Sequence, residues 1–201
     1  MCSDFPVLAK ALRVLASPTI RNMGTIGGNI VNASPAGDTL PPLYVLEAEV
    51  EIVSLKEAER MLMADFIVGP GQVRLRADEI VKGVWIRKAP EFNVHHFEKV
   101  GLRKSQACAV ASLAALLHVS KGGKIESARL AWGSVGPTVV RTAKVEEALV
   151  GQQLGIEKLL EVASLVESAV SPIDDVRASA QYRRIVAGRL VLRLPGSCDK
   201  T

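Results

Sequence analysis

Ala107 to Val119 forms a long apolar run. After Lys121-Gly122-Gly123-Lys124, a second β-prone run extends from Ile125 to Trp132. Gly-Gly between two such runs is a hairpin signal, because glycine reaches the backbone angles of a tight turn at no steric cost. This pairing commits the second half of the chain to an antiparallel sheet. His95 to Val100 reads as another strand ahead of it. After the hairpin the pattern turns helical: Val145 to Leu149 is one piece, and Ser179 to Leu194 is another. Between them, Ile156, Leu159, Leu160, Ala163 and Val170 form an apolar stripe on a third.

The first half has a different style, and Pro90 marks the change. Residues from about Ser3 to Ser17 read as an amphipathic helix. Leu8, Leu12 and Leu15 fall at helical spacing, Ser3 or Asp4 can cap, and Pro18 ends it. Arg21 to Pro42 is rich in Gly, Asn, Ser and Pro, lacks a hydrophobic period, and reads as a long ordered loop. Leu43 to Leu46 suggests a helical turn. Ala48, Val50 and Ile52 alternate with Glu49, Glu51 and Val53 as in a half-buried strand. Met61 and Met63 fit a short partner strand, Gly69-Pro70-Gly71 a turn, and Glu79 to Arg87 a further strand. The division expected is 1–90, 91–195 and a frayed tail, 196–201.

At 201 residues the chain is one large domain or two small ones. With 48% hydrophobic and 23% charged residues it is neither disordered nor collagen-like. No uncharged run approaches the ~18 apolar residues of a membrane helix. Aromatics are 4%, too few for base-stacking platforms, and the net charge of +4 is dispersed, so no nucleic-acid partner is expected. Cys2, Cys108 and Cys198 are scattered, which suits neither a disulfide framework nor a metal ligand run. A reduced, cytoplasmic chain follows, and Met1 to Ser17 lacks the features of a secretory signal.

Chemistry concentrates in Arg21 to Asp38. Gly27 and Gly28 can adopt φ > 0 and admit a close backbone approach. Thr25 brings a hydroxyl and Asn29 an amide. Successive N–H groups in such a loop make a concave nest for a pyrophosphate. Asp38 would repel phosphate, yet it can accept from a sugar or a ring N–H. The same residues also read as a plain glycine turn with polar caps. The GxGxxG pattern is absent, which argues against a Rossmann site.

Ile20-Arg21-Asn22, Thr25-Ile26-Gly27-Gly28-Asn29, Asn32-Ala33-Ser34-Pro35 and Asp38 closely resemble the second FAD-binding motif of the molybdenum hydroxylase flavoproteins. These are the medium subunits of carbon monoxide dehydrogenase, xanthine dehydrogenase and their relatives. Further blocks resemble the same family in order: Asp65 to Pro70, Phe97 to Val100, Gly133 to Thr138, Ser171 to Ala180, and Tyr182-Arg183-Arg184. The resemblance implies an α+β fold. The second subdomain of a vanillyl-alcohol-oxidase-type FAD-binding domain would precede a C-terminal antiparallel sheet with a helical bundle. It implies that Thr25 to Asn29 hold the FAD diphosphate and that Asp38 contacts the cofactor, with Leu15, Ala16, Val81 and Lys99 nearby. It also implies a molybdopterin-binding large subunit and a [2Fe–2S] small subunit as partners. Electrons would pass from the clusters through FAD to NAD⁺ or another acceptor, and no residue here would be catalytic in its own right. Family members carry a further subdomain, with a first glycine-rich FAD loop, ahead of the position matched by Met1. Without that half, the 201 residues are expected to hold FAD poorly. The competing reading is a non-catalytic remnant or assembly module that docks to the other subunits without FAD.

Other groups receive plainer readings. His95 and His96, adjacent on a strand, point to opposite faces and read as ordinary strand histidines rather than metal ligands. Asp174-Asp175 reads as a turn capping the last helix. Arg177, Arg183 and Arg184 read as a solvated or salt-bridged helix face, and Cys108 as core.

Overall fold

A computed structural model describes residues 4–88, 91–103 and 106–195. The hairpin is its centre. β6 (Val94–Val100), β7 (Ala111–Val119) and β8 (Ile125–Gly133) form an antiparallel sheet in the order β6-β7-β8, with Leu113 opposite Trp132. β7 is the middle strand, and it is apolar on both faces because both are covered. Leu113, Ala115 and Leu117 face one core, while Ala114 and Leu116 face another.

The first core lies under α6 (Ala143–Leu149), α7 (Ile156–Ala169) and α8 (Ala180–Leu190). Trp132 is fully buried there and donates from its indole N–H to Ala187 O at 3.1 Å, which ties β8 to α8. Leu159, Val162, Ala163 and Val166 form the buried stripe of α7. Ile156 and Leu160, expected in that stripe, are exposed instead. Ser179 caps α8 through Tyr182 N, and a single 3-10 turn, Val191–Arg193, follows it.

The second core is built by the first half of the chain. α1 spans Pro6–Val14, shorter than the sequence suggests at both ends. Its N-cap is Phe5 without a side-chain cap, so Asp4 does not serve, and Ser3 lies outside the described residues. Ala16, at φ 44, turns the chain, and Pro18 opens the next helix rather than ending this one. The stretch expected to be a loop contains three six-residue helices: α2 (Pro18–Met23), α3 (Ile26–Val31) and α4 (Leu40–Val45). Ser17 caps α2, Thr25 caps α3, and α2 and α4 carry proline in the first turn.

β1 (Glu49–Val53) sits between β2 (Ala58–Leu62) and β5 (Ile80–Trp85), both antiparallel to it. Val50 and Ile52 enter the second core. On the other face, Trp85 donates to Glu51 Oε2 at 2.9 Å, and the Arg60 guanidinium lies 3.7 Å from the centre of the Trp85 ring. Met63 begins a short helix, α5 (Met63–Phe66), instead of extending β2. Gly69-Pro70-Gly71 joins β3 (Ile67–Gly69) to β4 (Gln72–Val73), with Gly71 at φ 66 as the turn requires.

Cys108 is exposed, not core, because the apolar run enters the sheet only at Ala111. Arg183 is salt-bridged, as one of its two readings had it, but not solvated. It is buried and donates from Nη1 to Val110 O and Ser134 O, and from Nη2 to Asp175 Oδ1 at 2.6 Å. Pro90, Cys2, Cys198 and the 196–201 tail lie outside the described residues.

Candidate flavin site

Thr25 sets the geometry of the glycine segment. Its Oγ1 accepts from Gly28 N at 3.0 Å, and its carbonyl accepts from Asn29 N at 3.0 Å. Gly27 and Gly28 therefore sit in the first turn of α3, and neither has positive φ. The expected left-handed nest is a helix start instead. It still presents donors, because the first amides of a helix lack carbonyl partners four residues back. Those of Ile26 and Gly27 stand free of the Thr25 cap. A Cβ on Gly28 would sit 3.0 Å from Thr25 Oγ1, whereas one on Gly27 would meet only Val81 Cγ1 at 3.8 Å. The glycines thus keep this helix start low and open.

Leu15, Ala16, Thr25, Ile26 and Asn29 line one trough of about 280 Å³, together with Leu12, Ile20, Gly24 and Thr39. The Asn29 Oδ1 accepts from the Thr39 hydroxyl, which leaves its amide NH₂ as the group on offer. Arg21 also lines the trough, and it donates from Nη1 to Leu15 O at 2.5 Å and Ala16 O at 3.2 Å. It fixes the strained Leu15–Ala16 corner. In the sequence Arg21 stands only as part of the Ile20-Arg21-Asn22 motif, and these bonds are not legible there, because a contact six residues back across a turn has no pattern.

Asp38 and Lys99 are brought together beside this trough. Lys99 Nζ lies 2.7 Å from Asp38 Oδ2 and also donates to Val14 O at 2.9 Å, next to Leu15. Asp38 is 5% exposed, and among the described residues its Oδ1 has no hydrogen-bond partner. Burial raises its pKa above the usual carboxylate range, against the opposing pull of Lys99. A buried acceptor without a donor is uncommon in a native fold and marks a place for one.

An apolar trough, a row of first-turn amides and one orphaned carboxylate oxygen suit a ligand with a planar apolar part, an anionic part and N–H or O–H donors. FAD has all three, so the residues fit it. His95 and His96 join no such site. Among the described residues no cluster of three or more His, Cys, Asp or Glu could hold a metal, and no helix is long and apolar enough to cross a membrane.

Comparison with known proteins gives consistent findings. Residues 1–88 match the family described as the FAD binding domain in molybdopterin dehydrogenase, and residues 96–196 match the CO dehydrogenase flavoprotein C-terminal domain. The glyceraldehyde dehydrogenase medium chain of Sulfolobus acidocaldarius is 32% identical over 95% of this chain and 67% of its own. The xanthine dehydrogenase FAD-binding subunit of Escherichia coli O157:H7 is 31% identical over 89% of this chain and 61% of its own. The structure of reconstituted CO dehydrogenase from Oligotropha carboxidovorans superposes with a TM-score of 0.91 at 28% identity, covering 98% of this chain and 68% of that one. The chain thus spans about two thirds of the length of these relatives.

Proposed function

Since the chain belongs to the FAD-binding medium-subunit family of the molybdopterin dehydrogenases, we propose that Thr25 to Asn29, Asp38 and Lys99 are its flavin contacts, walled by Leu15, Ala16 and Val81. The observation that carries this reading is the orphaned Asp38 Oδ1 beside the trough. The free amides of Ile26 and Gly27, with the Thr25 hydroxyl and the Asn29 amide, are placed to donate to a diphosphate. Lys99 offsets the charge of Asp38 and holds it in place, while its bonds to Val14 O and Ala107 O pin the end of α1 and the segment ahead of β7. The apolar walls exclude water, which strengthens each polar contact they enclose.

Bound FAD supplies the capacity to accept and release electrons; the chain supplies binding, orientation and electrostatics. Within a cytoplasmic complex, this subunit receives electrons from a [2Fe–2S] small subunit and delivers them to NAD⁺ or another acceptor. A molybdopterin-binding large subunit oxidises the substrate. Unit 1–90 then carries most of the flavin contacts, and unit 91–195, the C-terminal domain, adds Lys99.

The test is flavin content. The assembled complex is purified with the native chain and with Asp38→Ala, and flavin released by acid is counted per medium subunit. Stoichiometric FAD in the native complex and reduced FAD in the variant are expected, with thermal melting unchanged enough to show a folded protein. A native complex that retains its partners but carries no flavin would return the chain to the role of an assembly module.

A further inference from the structure

A second crevice lies away from the flavin trough, where the 34–36 segment, the β3–β4 turn, the residues after β8 and the 171–177 segment converge. It measures about 380 Å³, which falls in the range of small-ligand sites. Four prolines contribute to its walls, giving rigid apolar sides. Two buried polar side chains also line it: Ser134, 9% exposed, and Arg183, 4% exposed. Among the described residues, neither Ser134 Oγ nor Arg183 Nε has a hydrogen-bond partner.

The rest of the Arg183 guanidinium is fixed. Nη1 is spent on two carbonyls and one Nη2 N–H on Asp175, and among the described residues the buried Nε–H has no acceptor. Arg177 stands at the same crevice, with Nη1 2.9 Å from Asp175 Oδ2. Exposed Cys108 lines the same crevice. Two guanidinium groups face one carboxylate, which its hydrogen bonds hold well below the ordinary carboxylate range, so the crevice carries a surplus of one positive charge. A donor that cannot accept, a hydroxyl and a single surplus charge call for a monovalent oxyanion. The proline walls call for an apolar body behind it.

We propose that this crevice binds a carboxylate carried on a compact apolar body, with Arg183 Nε and Ser134 Oγ donating to its oxygens and Arg177 balancing its charge. Such a carboxylate belongs either to a free small acid or to the terminus or side chain of a neighbouring polypeptide.

Cys108 at the rim provides the readout. In the full chain carrying Cys2→Ser and Cys198→Ser, Cys108 is alkylated by iodoacetamide in the presence of benzoate or its neutral counterpart benzamide. A second arm uses the dipeptide acetyl-Ala-Phe as the free acid or the amide. The acids should slow alkylation saturably and the neutral compounds should not. Ser134→Gly removes the hydroxyl at a position whose φ of 66 suits glycine, so it should fold; Arg177→Gln removes the surplus charge. Each variant, measured against its own unprotected rate, should raise the concentration for half-protection roughly tenfold, the ratio expected for one lost charged hydrogen bond. Tighter protection by benzoate assigns the site to a free acid, and tighter protection by the peptide acid to a polypeptide. Protection that is absent, that benzamide matches, or that Ser134→Gly leaves unchanged overturns the proposal.

Discussion

Lys99 Nζ lies 2.7 Å from Asp38 Oδ2, with the two side chains 9% and 7% exposed, and the pair is unequally satisfied. The ammonium also donates to Val14 O and Ala107 O, so its three N–H groups are used. Among the described residues the carboxylate has one oxygen left over. The pair therefore joins β6 to the end of α1 and the 107 segment, while Asp38 keeps an acceptor in reserve.

This asymmetry orders the cost of breaking the pair. Lys99→Met keeps the length of the side chain but leaves a buried carboxylate without its counter-charge and two carbonyls without a donor. The expected loss is about 3–5 kcal/mol. Asp38→Asn keeps the shape and an amide oxygen that can still accept from Lys99, so all three ammonium bonds survive and only the counter-charge is lost; about 1–3 kcal/mol is expected. Urea unfolding of both variants gives the order directly. Equal losses would mean that the pair is solvated and that Asp38 is not held as described.

Gly27 and Gly28 separate the fold from the cofactor. Gly28→Val places branched carbons against Thr25 Oγ1, already 3.0 Å from a Cβ at that position, so the helix cap and FAD should be lost together. Gly27→Ala meets only ordinary contact with Val81, and alanine favours the helix by up to about 1 kcal/mol. It should leave melting unchanged or raised while lowering flavin content, because the new methyl group covers the helix start. Full flavin retention in Gly27→Ala would move the diphosphate away from this turn.

Much of the sheet was legible, and the reasons explain what was not. Long strands display their own evidence: the Gly122-Gly123 turn and two apolar runs placed β7 and β8 closely at their paired ends. Helices of six residues cannot, since fewer than two turns give no period to read. α2 and α3 are instead specified by their caps, Ser17 and Thr25, within a stretch that reads as loop. The resemblance of the Thr25–Asn29 and Asp38 motif supplied the candidate residues, while the helical state of Gly27 and Gly28 was not legible. Arg183 escaped for a different reason. Its burial depends on the 171–179 segment folding back so that Asp175 meets it, and on the carbonyls of Val110 and Ser134, at the ends of β7 and β8 and more than forty residues away. No spacing in the sequence announces such a return. α7 is apolar on more than one face, so the choice of Val162 and Val166 over Ile156 and Leu160 was made by packing.

His96 should make stability depend on pH. It is 6% exposed on β6, and its pKa is pushed down to about 4, first by burial and then by the charges of Lys10 and Arg193. The folded state therefore prefers the neutral ring. Its contribution is fully present above the unfolded value of 6.5 and is lost as pH falls from there to about 4. Over that window the loss is about 3 kcal/mol. Unfolding midpoints at pH 7 and pH 4.5 should show it in the native chain. In His96→Gln the difference between the two should shrink by most of that amount. An unchanged difference would show that other groups set the acid limb.

Gly188 tests how closely the two long helices are locked. A Cβ there would come 2.8 Å from Ala163 O and 2.8 Å from Glu167 Cγ, so α8 crosses α7 where no side chain fits. Two effects of Gly188→Ala then oppose each other. Helix propensity favours alanine by up to about 1 kcal/mol. Against it, the Glu167 side chain can swing aside, but the Ala163 carbonyl is backbone and moves only with the helix. Separating the helices disturbs the packing of Val162, Val166, Ala187 and Leu190 in the first core. Overpacking of this kind costs about 1–3 kcal/mol, so the net effect should be a loss of stability. Thermal melting should show a lowered midpoint, and Glu167→Ala alone should not restore it, because the backbone contact remains. A raised midpoint in Gly188→Ala would show that α7 and α8 part easily and that this glycine is not what sets their distance.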